Sequence, residues 1–141
     1  MQGLIILKTS PETIKQVVAE KKHALKGRLR RAKPNDLILI AEIQPPGHGP
    51  AIARYGMWFT EQRAAFPGEV AGIWKEENTH RWNIIVKGRE CQELSTQFSP
   101  EAEKITKKNY SDGGTLVYVC PDDANLWRQK GLLEPFFQPQ A

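Results

Sequence analysis

The chain has 141 residues, 40% of them hydrophobic and 26% charged, which suits one globular domain and leaves no room for two of ordinary size. Its net charge of +4 is uneven: Lys15, Lys21, Lys22, Lys26, Arg28, Arg30, Arg31 and Lys33 face one acid, Glu20, so residues 15–33 carry +7 and the remainder −3. A basic strip on a neutral-to-acidic body is the asymmetry of a protein that docks on a polyanion, and a solvated helix face has the same composition.

Leu4-Ile5-Ile6-Leu7 reads as a short buried strand, too brief for the core of a signal peptide. Nothing approaches the roughly 20 apolar residues of a membrane span, so a cytoplasmic protein is expected. Ser10-Pro11-Glu12 supplies an N-cap, a first-turn proline and an acid, and Ile14, Val17 and Val18 then fall at helical spacing. A helix is therefore expected from Pro11, ending or breaking at Gly27. Arg28 to Ala32 forms a short helical or irregular piece before the turn Lys33-Pro34-Asn35-Asp36.

From Leu37 the period changes to two. Leu37 to Ala41 is apolar on both faces, which places it at the centre of a sheet. Pro45 to Pro50 is a loop, and Ala51 to Phe59 resumes as a strand. Further strands are expected at Val70 to Trp74, Arg81 to Lys87 and, more weakly, Glu93 to Phe98. Ser99-Pro100-Glu101 opens a helix to about Asn109, Thr115 to Val119 is a β-branched strand, and Asp122 or Asp123 caps a last helix stopped by Gly131.

Strands that follow one another directly pair mostly antiparallel, which excludes a doubly wound fold. The expected class is α+β: a small, mostly antiparallel barrel of five to six strands with two to four flanking helices. One domain spans residues 1–134, with a short tail, 135–141. The tail's Pro135-Phe136-Phe137 packs on its own barrel or on a second subunit, so a monomer and a weak homodimer both remain open.

Catalytic machinery is hard to find. His23, His48 and His80 lie in separate segments without metal-ligand spacing, and each is expected at the surface. Cys91 and Cys120 form neither a CxxC pair nor a disulfide framework, and are expected as small buried thiols. There is no G-x-S-x-G, no G-x-G-x-x-G and no phosphate-cradling loop. No cofactor, metal or catalytic residue is assigned.

Aromatic clustering is the stronger signal. Tyr55, Trp58, Phe59, Phe66, Trp74 and Trp82, six of the twelve aromatic residues, fall within 28 positions. Alternation puts Tyr55, Met57 and Phe59 with Ala51 and Ala53 on the core face. Trp58 is left with Ile52, Arg54 and Gly56, where a planar ligand can approach the backbone. Trp82 alternates with Ile84 and Val86 and reads as core, whereas Trp74, at the mouth of a polar turn, fits either role. Tryptophans beside a basic strip also suit a stacked base whose phosphates are held by cations, worth about 1–3 kcal/mol per base.

The order of motifs resembles the PUA-like superfamily, particularly its EVE and YTH branches, over about residues 4–120. Lys33-Pro34-Asn35-Asp36-Leu37-Ile38 is similar to the EVE turn K-P-G-D that enters a central strand, with Asn35 in place of glycine. Gly47-His48-Gly49 with Ala51 to Met57, and Ala71-Gly72-Ile73-Trp74 with Arg81 to Lys87, resemble YTH segments. The tryptophan that YTH domains carry after the first helix is missing from Lys22-His23-Ala24-Leu25, which points away from N6-methyladenine.

The resemblance implies a PUA-like barrel that reads a flipped or unpaired base, modified or not, in DNA or RNA. Trp58, Trp74 and Trp82 would stack, Asn83, Asn35 and Arg54 would contact the base, and Lys21, Lys22, Lys26, Arg28, Arg30 and Arg31 the phosphates. Two alternatives stand beside it. A metal-free ribonuclease of the related ASCH branch would use Lys22, Arg28, Arg54 and Tyr55, although the G-x-K-x-x-E-x-R motif of that branch is absent. A protein-interaction module would use the basic strip to hold an acidic partner.

Overall fold

The computed structural model describes residues 3–70, 82–111 and 114–138. Strand β1 (Leu4–Thr9) is buried along its whole length. Helix α1 (Ile14–Glu20) follows a turn at Pro11 to Thr13 and buries Ile14 and Val17. It stops well before Gly27. The apolar stripe is exhausted after Val18, Lys21 takes the left-handed conformation (φ 56°) with its amide donating to the Val17 carbonyl, and the chain re-enters the sheet as β2 (Lys22–Leu25). Tertiary pairing wins here: His23, Ala24 and Leu25 lie against Val86, Ile85 and Ile84, and all three are buried.

After an irregular basic loop, β3 (Leu37–Glu42) occupies the middle of the sheet, parallel to β1 with Leu4 opposite Leu37. Strand β4 (Ile52–Ala64) and strand β5 (Ile84–Phe98) are longer than the sequence suggests. Of the two segments expected at Arg81 to Lys87 and Glu93 to Phe98, residues 84–87 and 93–98 belong to one continuous, bulged strand with Glu90 at φ 53°; Trp82 and Asn83 precede it and Arg81 lies outside the described residues. Of the strand expected at Val70 to Trp74, Val70 is helical, and residues 71–74 lie outside the described residues.

Helix α2 (Pro100–Glu103) is capped by the Ser99 hydroxyl, which accepts from the Ala102 amide at 3.2 Å. It ends after one turn because the Asp123 carboxylate takes the amides of Ile105 and Thr106 at 2.7 and 3.2 Å, drawing the chain out of the helix. Asp123 is consequently no N-cap. Helix α3 (Pro121–Gln129), entered after β6 (Leu116–Tyr118), starts at Cys120 without a side-chain cap and stops before Gly131 at φ 77°.

The strand order is β2-β5-β4-β3-β1-β6, antiparallel except for β1 with β3. The six-stranded sheet curls into a half-barrel, which gives the small α+β barrel class expected from the sequence. Ile5, Leu7, Ile38, Ile40, Met57, Phe59 and Ile85 fill its inside. Leu4, Ile6, Leu37, Leu39 and Ala53 face outward under Trp127, Leu132 and Leu133. A register shift beside Arg54 reverses the alternation in β4. Tyr55, Met57 and Phe59 therefore face the inside while Ala51 and Ala53 join Trp58 outside, correcting the face assignment made from strict alternation.

Curling brings the outer strands β2 and β6 to the two sides of one cleft, and at this seam a side-chain bond ties β2 to β1. The Thr9 hydroxyl reaches His23 Nε2 at 2.8 Å, and His23 Nδ1 donates to the Ala24 carbonyl at 3.0 Å. His23 is fully buried, contrary to the surface position expected of it. Burial lowers its pKa to about 4 against the help of that carbonyl, so the ring is neutral.

Candidate functional site

The basic loop from Lys26 to Lys33 runs along this seam. A cleft of about 380 Å³ with Arg31, Lys108, Tyr118 and Asp36 in its walls opens on one side. Another, of about 330 Å³, lies between Leu25, Lys26, Gly27 and Arg28 on one side and Gly114, Thr115 and Leu116 on the other, with Trp82 in its wall. Trp82 also borders a third cleft of about 380 Å³ with Phe66, Pro67 and Asn83. Its half-buried ring thus separates two openings, and the Lys26 ammonium stands 5.1 Å from its centroid. This is more exposed than the core position read from its alternation with Ile84 and Val86.

Lys26, Arg28, Arg30 and Arg31 are exposed, and none of them pairs with a carboxylate among the described residues. Lys22 differs. It joins Glu69 at 3.1 Å, and Arg63 grips the same carboxylate with two bonds of 2.8 and 2.7 Å. Those Arg63 bonds, aided by the Phe66 amide and Lys22, outweigh burial and hold Glu69 at a pKa of about 2. The bracket also orders the turn at Phe66, a 62% exposed ring with the Arg63 guanidinium 4.1 Å from its centroid. Lys21 is exposed at the end of α1.

A different group surrounds Trp58. Phe136 and Phe137 meet its ring edge-on, each with centroids 5.5 Å away, and Arg89 stands 5.9 Å from it. Arg89 also donates to the Asn35 amide oxygen at 2.7 Å, and Asn35 takes the left-handed conformation at φ 75°. A Cβ on Gly56 would lie 2.5 Å from the Phe136 ring. The flat surface that the sequence offers to a planar ligand is taken by the chain's own tail, so residues 135–137 belong to the barrel's packing. Arg54 is elsewhere, paired with Glu42 at 2.9 Å and bonded to Gln97.

The structure therefore gathers Trp82, Lys26, Arg28 and Arg31 at the seam, with Arg30 exposed on the same loop and Asn83 in the cleft on the other side of the Trp82 ring, and keeps Trp58, Asn35 and Arg54 apart from them. Trp74 lies outside the described residues. Sequence reasoning missed Tyr118 and Lys108, and counted Phe66 in the aromatic cluster without giving it a role. The Lys107-Lys108 pair was a legible charge signal, while Tyr118 was hidden in a strand that read as ordinary β-branched core. Among the described residues no group of three or more His, Cys, Asp or Glu could hold a metal ion, and no helix is long and apolar enough to cross a membrane.

No protein-family profile and no curated protein sequence matches the chain. Solved structures do. The ASCH protein of Zymomonas mobilis superposes with a TM-score of 0.63 at 12% identity over 97% of this chain and 98% of that one. The N-terminal domain of McrB from Thermococcus gammatolerans, solved bound to m5C DNA, gives a TM-score of 0.58 at 11% identity over 89% and 95%. The fold is PUA-like. At such identities the likeness carries the barrel and its element order, and the chemistry of the seam must be argued from this chain's own side chains.

Proposed function

We propose that this PUA-like domain is a non-catalytic nucleic-acid-binding module that holds a flipped or unpaired base, modified or not, against Trp82. The observation that carries it is a half-buried tryptophan in the wall of an open cleft whose rim holds the cations Lys26 and Arg28, neither of them paired with a carboxylate among the described residues. Asn83, exposed in the cleft on the other side of the ring, offers an amide to a base edge. The McrB domain, solved bound to m5C DNA, supports such a site on a barrel of this fold. DNA and RNA fit this chemistry equally, as do EVE-like and YTH-like modes of reading.

Single-stranded oligonucleotides titrated at several salt concentrations test it. Four phosphate contacts by Lys26, Arg28, Arg30 and Arg31 give a slope of log K against log salt of about −3. Removing the stack in Trp82→Ala weakens binding roughly 5- to 150-fold. Salt-independent binding, or a folded Trp82→Ala protein with unchanged affinity, would overturn the assignment.

The likeness to an ASCH protein favours a second reading, RNA cleavage through the 2′-hydroxyl. The residues offered for it do not converge: Lys22 stands opposite Lys87 near the start of β5, and Arg54 reaches Gln97 near its end. Tyr55 packs against the inner core, while Arg28 is at the seam. Labelled RNA incubated with the protein in EDTA is expected to stay intact.

A further inference from the structure

Resting on the proposed base site at Trp82, we propose that the Arg31–Tyr118–Lys108 cleft is a second nucleotide subsite, so that the ligand is a single strand holding two consecutive, unstacked nucleotides. The cleft has the same three parts as the first: an aromatic wall, cations and space. The Arg31 guanidinium lies 4.2 Å from the Tyr118 centroid, and its backbone amide donates to the Tyr118 hydroxyl at 3.2 Å, so loop and ring are fixed to each other. A base stacks on a guanidinium plane as readily as on an aromatic one, and here the outer face of Arg31 offers that plane. Lys108 enters from the segment after α2. Neither cation has a carboxylate partner among the described residues. Asp36 also lines the cleft, but its two oxygens accept the amides of Gly3 and Lys33, both at 2.9 Å. Its charge is engaged in holding the turn.

Spacing decides the class of strand. Leu116 borders the Trp82 cleft and Tyr118 the Arg31 cleft, two residues apart along β6. That is about 6.6 Å at the rise of a strand, whereas stacked bases in a duplex strand advance only about 3.4 Å. Consecutive bases in regular stacking cannot enter both clefts, and the consecutive nucleotides of an extended single strand can. The basic loop lies on both clefts, with Lys26 and Arg28 on one and Arg31 on the other, so it can follow the phosphate that joins the two nucleotides.

The test compares mononucleotides, dinucleotides, longer single strands and duplexes by competition against a labelled oligonucleotide, using the full chain. For the wild type, affinity is expected to rise roughly 5- to 150-fold from mono- to dinucleotide, the worth of one stacked base. Arg31→Gln and Tyr118→Leu, each checked for fold by circular dichroism, are expected to remove that step, and Tyr118→Leu, which lies outside the Trp82 site, to leave mononucleotide binding there intact. If either folded variant keeps the full step, the second subsite is wrong while the Trp82 site stands. If Trp82→Ala leaves all binding unchanged, the first site falls and the second with it. A mononucleotide that binds in an Arg31-dependent manner as tightly as the dinucleotide would assign the cleft to a free nucleotide and overturn the single-strand proposal. Duplex binding as tight as single-strand binding would also overturn it.

Discussion

Trp58 and Trp82 both stand beside a cation, yet one is covered by its own chain and the other borders open clefts. Over Gly56 and Trp58 lie Phe136 and Phe137. Trp82 has Lys26 over its ring and a cleft on each side. A flat apolar surface beside a glycine attracts an aromatic group, and a tethered one arrives without the translational and rotational cost that a free ligand bears. The tail is close to Gly56 in space because α3 and the turn at Gly131 return it to the outer face of the sheet. Among the described residues the seam has no such tether. Its cations also repel one another, so an anionic ligand is the natural complement there.

The largest effect should come from breaking the covered side. In Gly56→Val even the first carbon of the side chain meets Phe136 at 2.5 Å, so the ring must leave. Losing that packing costs about 3–4 kcal/mol, the scale of deleting a large aromatic. Urea unfolding measures it, and oligonucleotide affinity should stay unchanged. A rise in affinity with stability preserved would show that the tail covers a binding site, and the distinction between the two tryptophans would disappear.

Acid breaks the other side next. His23 joins β2 to Thr9 of β1 as a neutral ring whose folded pKa is about 4, below its ordinary 6.5. The unfolded chain then binds more protons, so stability is fully present above about pH 6.5 and is lost as pH falls toward 4, by up to about 3 kcal/mol. Glu69, held at about 2, contributes stability above its unfolded value of 4.5 and loses it only below that, which separates the two windows. Urea midpoints from pH 7 to 4.5 should fall in the wild type and remain level in His23→Gln. A wild-type midpoint that does not move would remove His23 as the seam's acid-sensitive stitch.

Much of this barrel was legible because local signals and tertiary packing agree in it. Leu37 to Ala41 is apolar on both faces because Ile38 and Ile40 join the inner core while Leu37 and Leu39 lie under Trp127, Leu132 and Leu133, and Ser99-Pro100 caps as its sequence promises. Where the reading failed, a long-range partner decided. Lys22 to Leu25 left the helix to pair with β5, Asp123 spent its oxygens on Ile105, Thr106 and Tyr110 instead of its own helix, and a bulge reversed the faces around Arg54. The basic strip was fully visible as charge. Which tryptophan it would meet was not, because the seam is made by strands distant in sequence and the cover on Trp58 comes from the other end of the chain.

Exchanging each tryptophan sharpens the comparison. Trp82→Leu should cost roughly 1–3 kcal/mol in oligonucleotide affinity, with a smaller change in unfolding free energy because its ring is only half-buried. Trp58→Leu should do the reverse, removing two edge-on contacts of about 0.5–1.5 kcal/mol each from the fold and leaving binding alone. Thermal unfolding and anisotropy on the same samples separate these outcomes. Equal losses of affinity in both variants would mean that the covered tryptophan also serves the ligand.

The smallest effect concerns charge alone. Arg30 is exposed on the seam loop without a carboxylate partner among the described residues, whereas Arg89, beside Trp58, is bonded to Asn35 and pairs with Glu90 at 3.1 Å. Arg30→Gln should lower affinity for all sequences alike and reduce the salt slope by about 0.7, one counterion's worth on a single strand. Arg89→Gln should leave the slope where it is. Both lose one positive charge, so the protein's net charge changes identically, and only position on the surface can make them differ. Equal slopes in the two variants would show that the ligand responds to overall charge, and the seam would lose its claim to be where the phosphates lie.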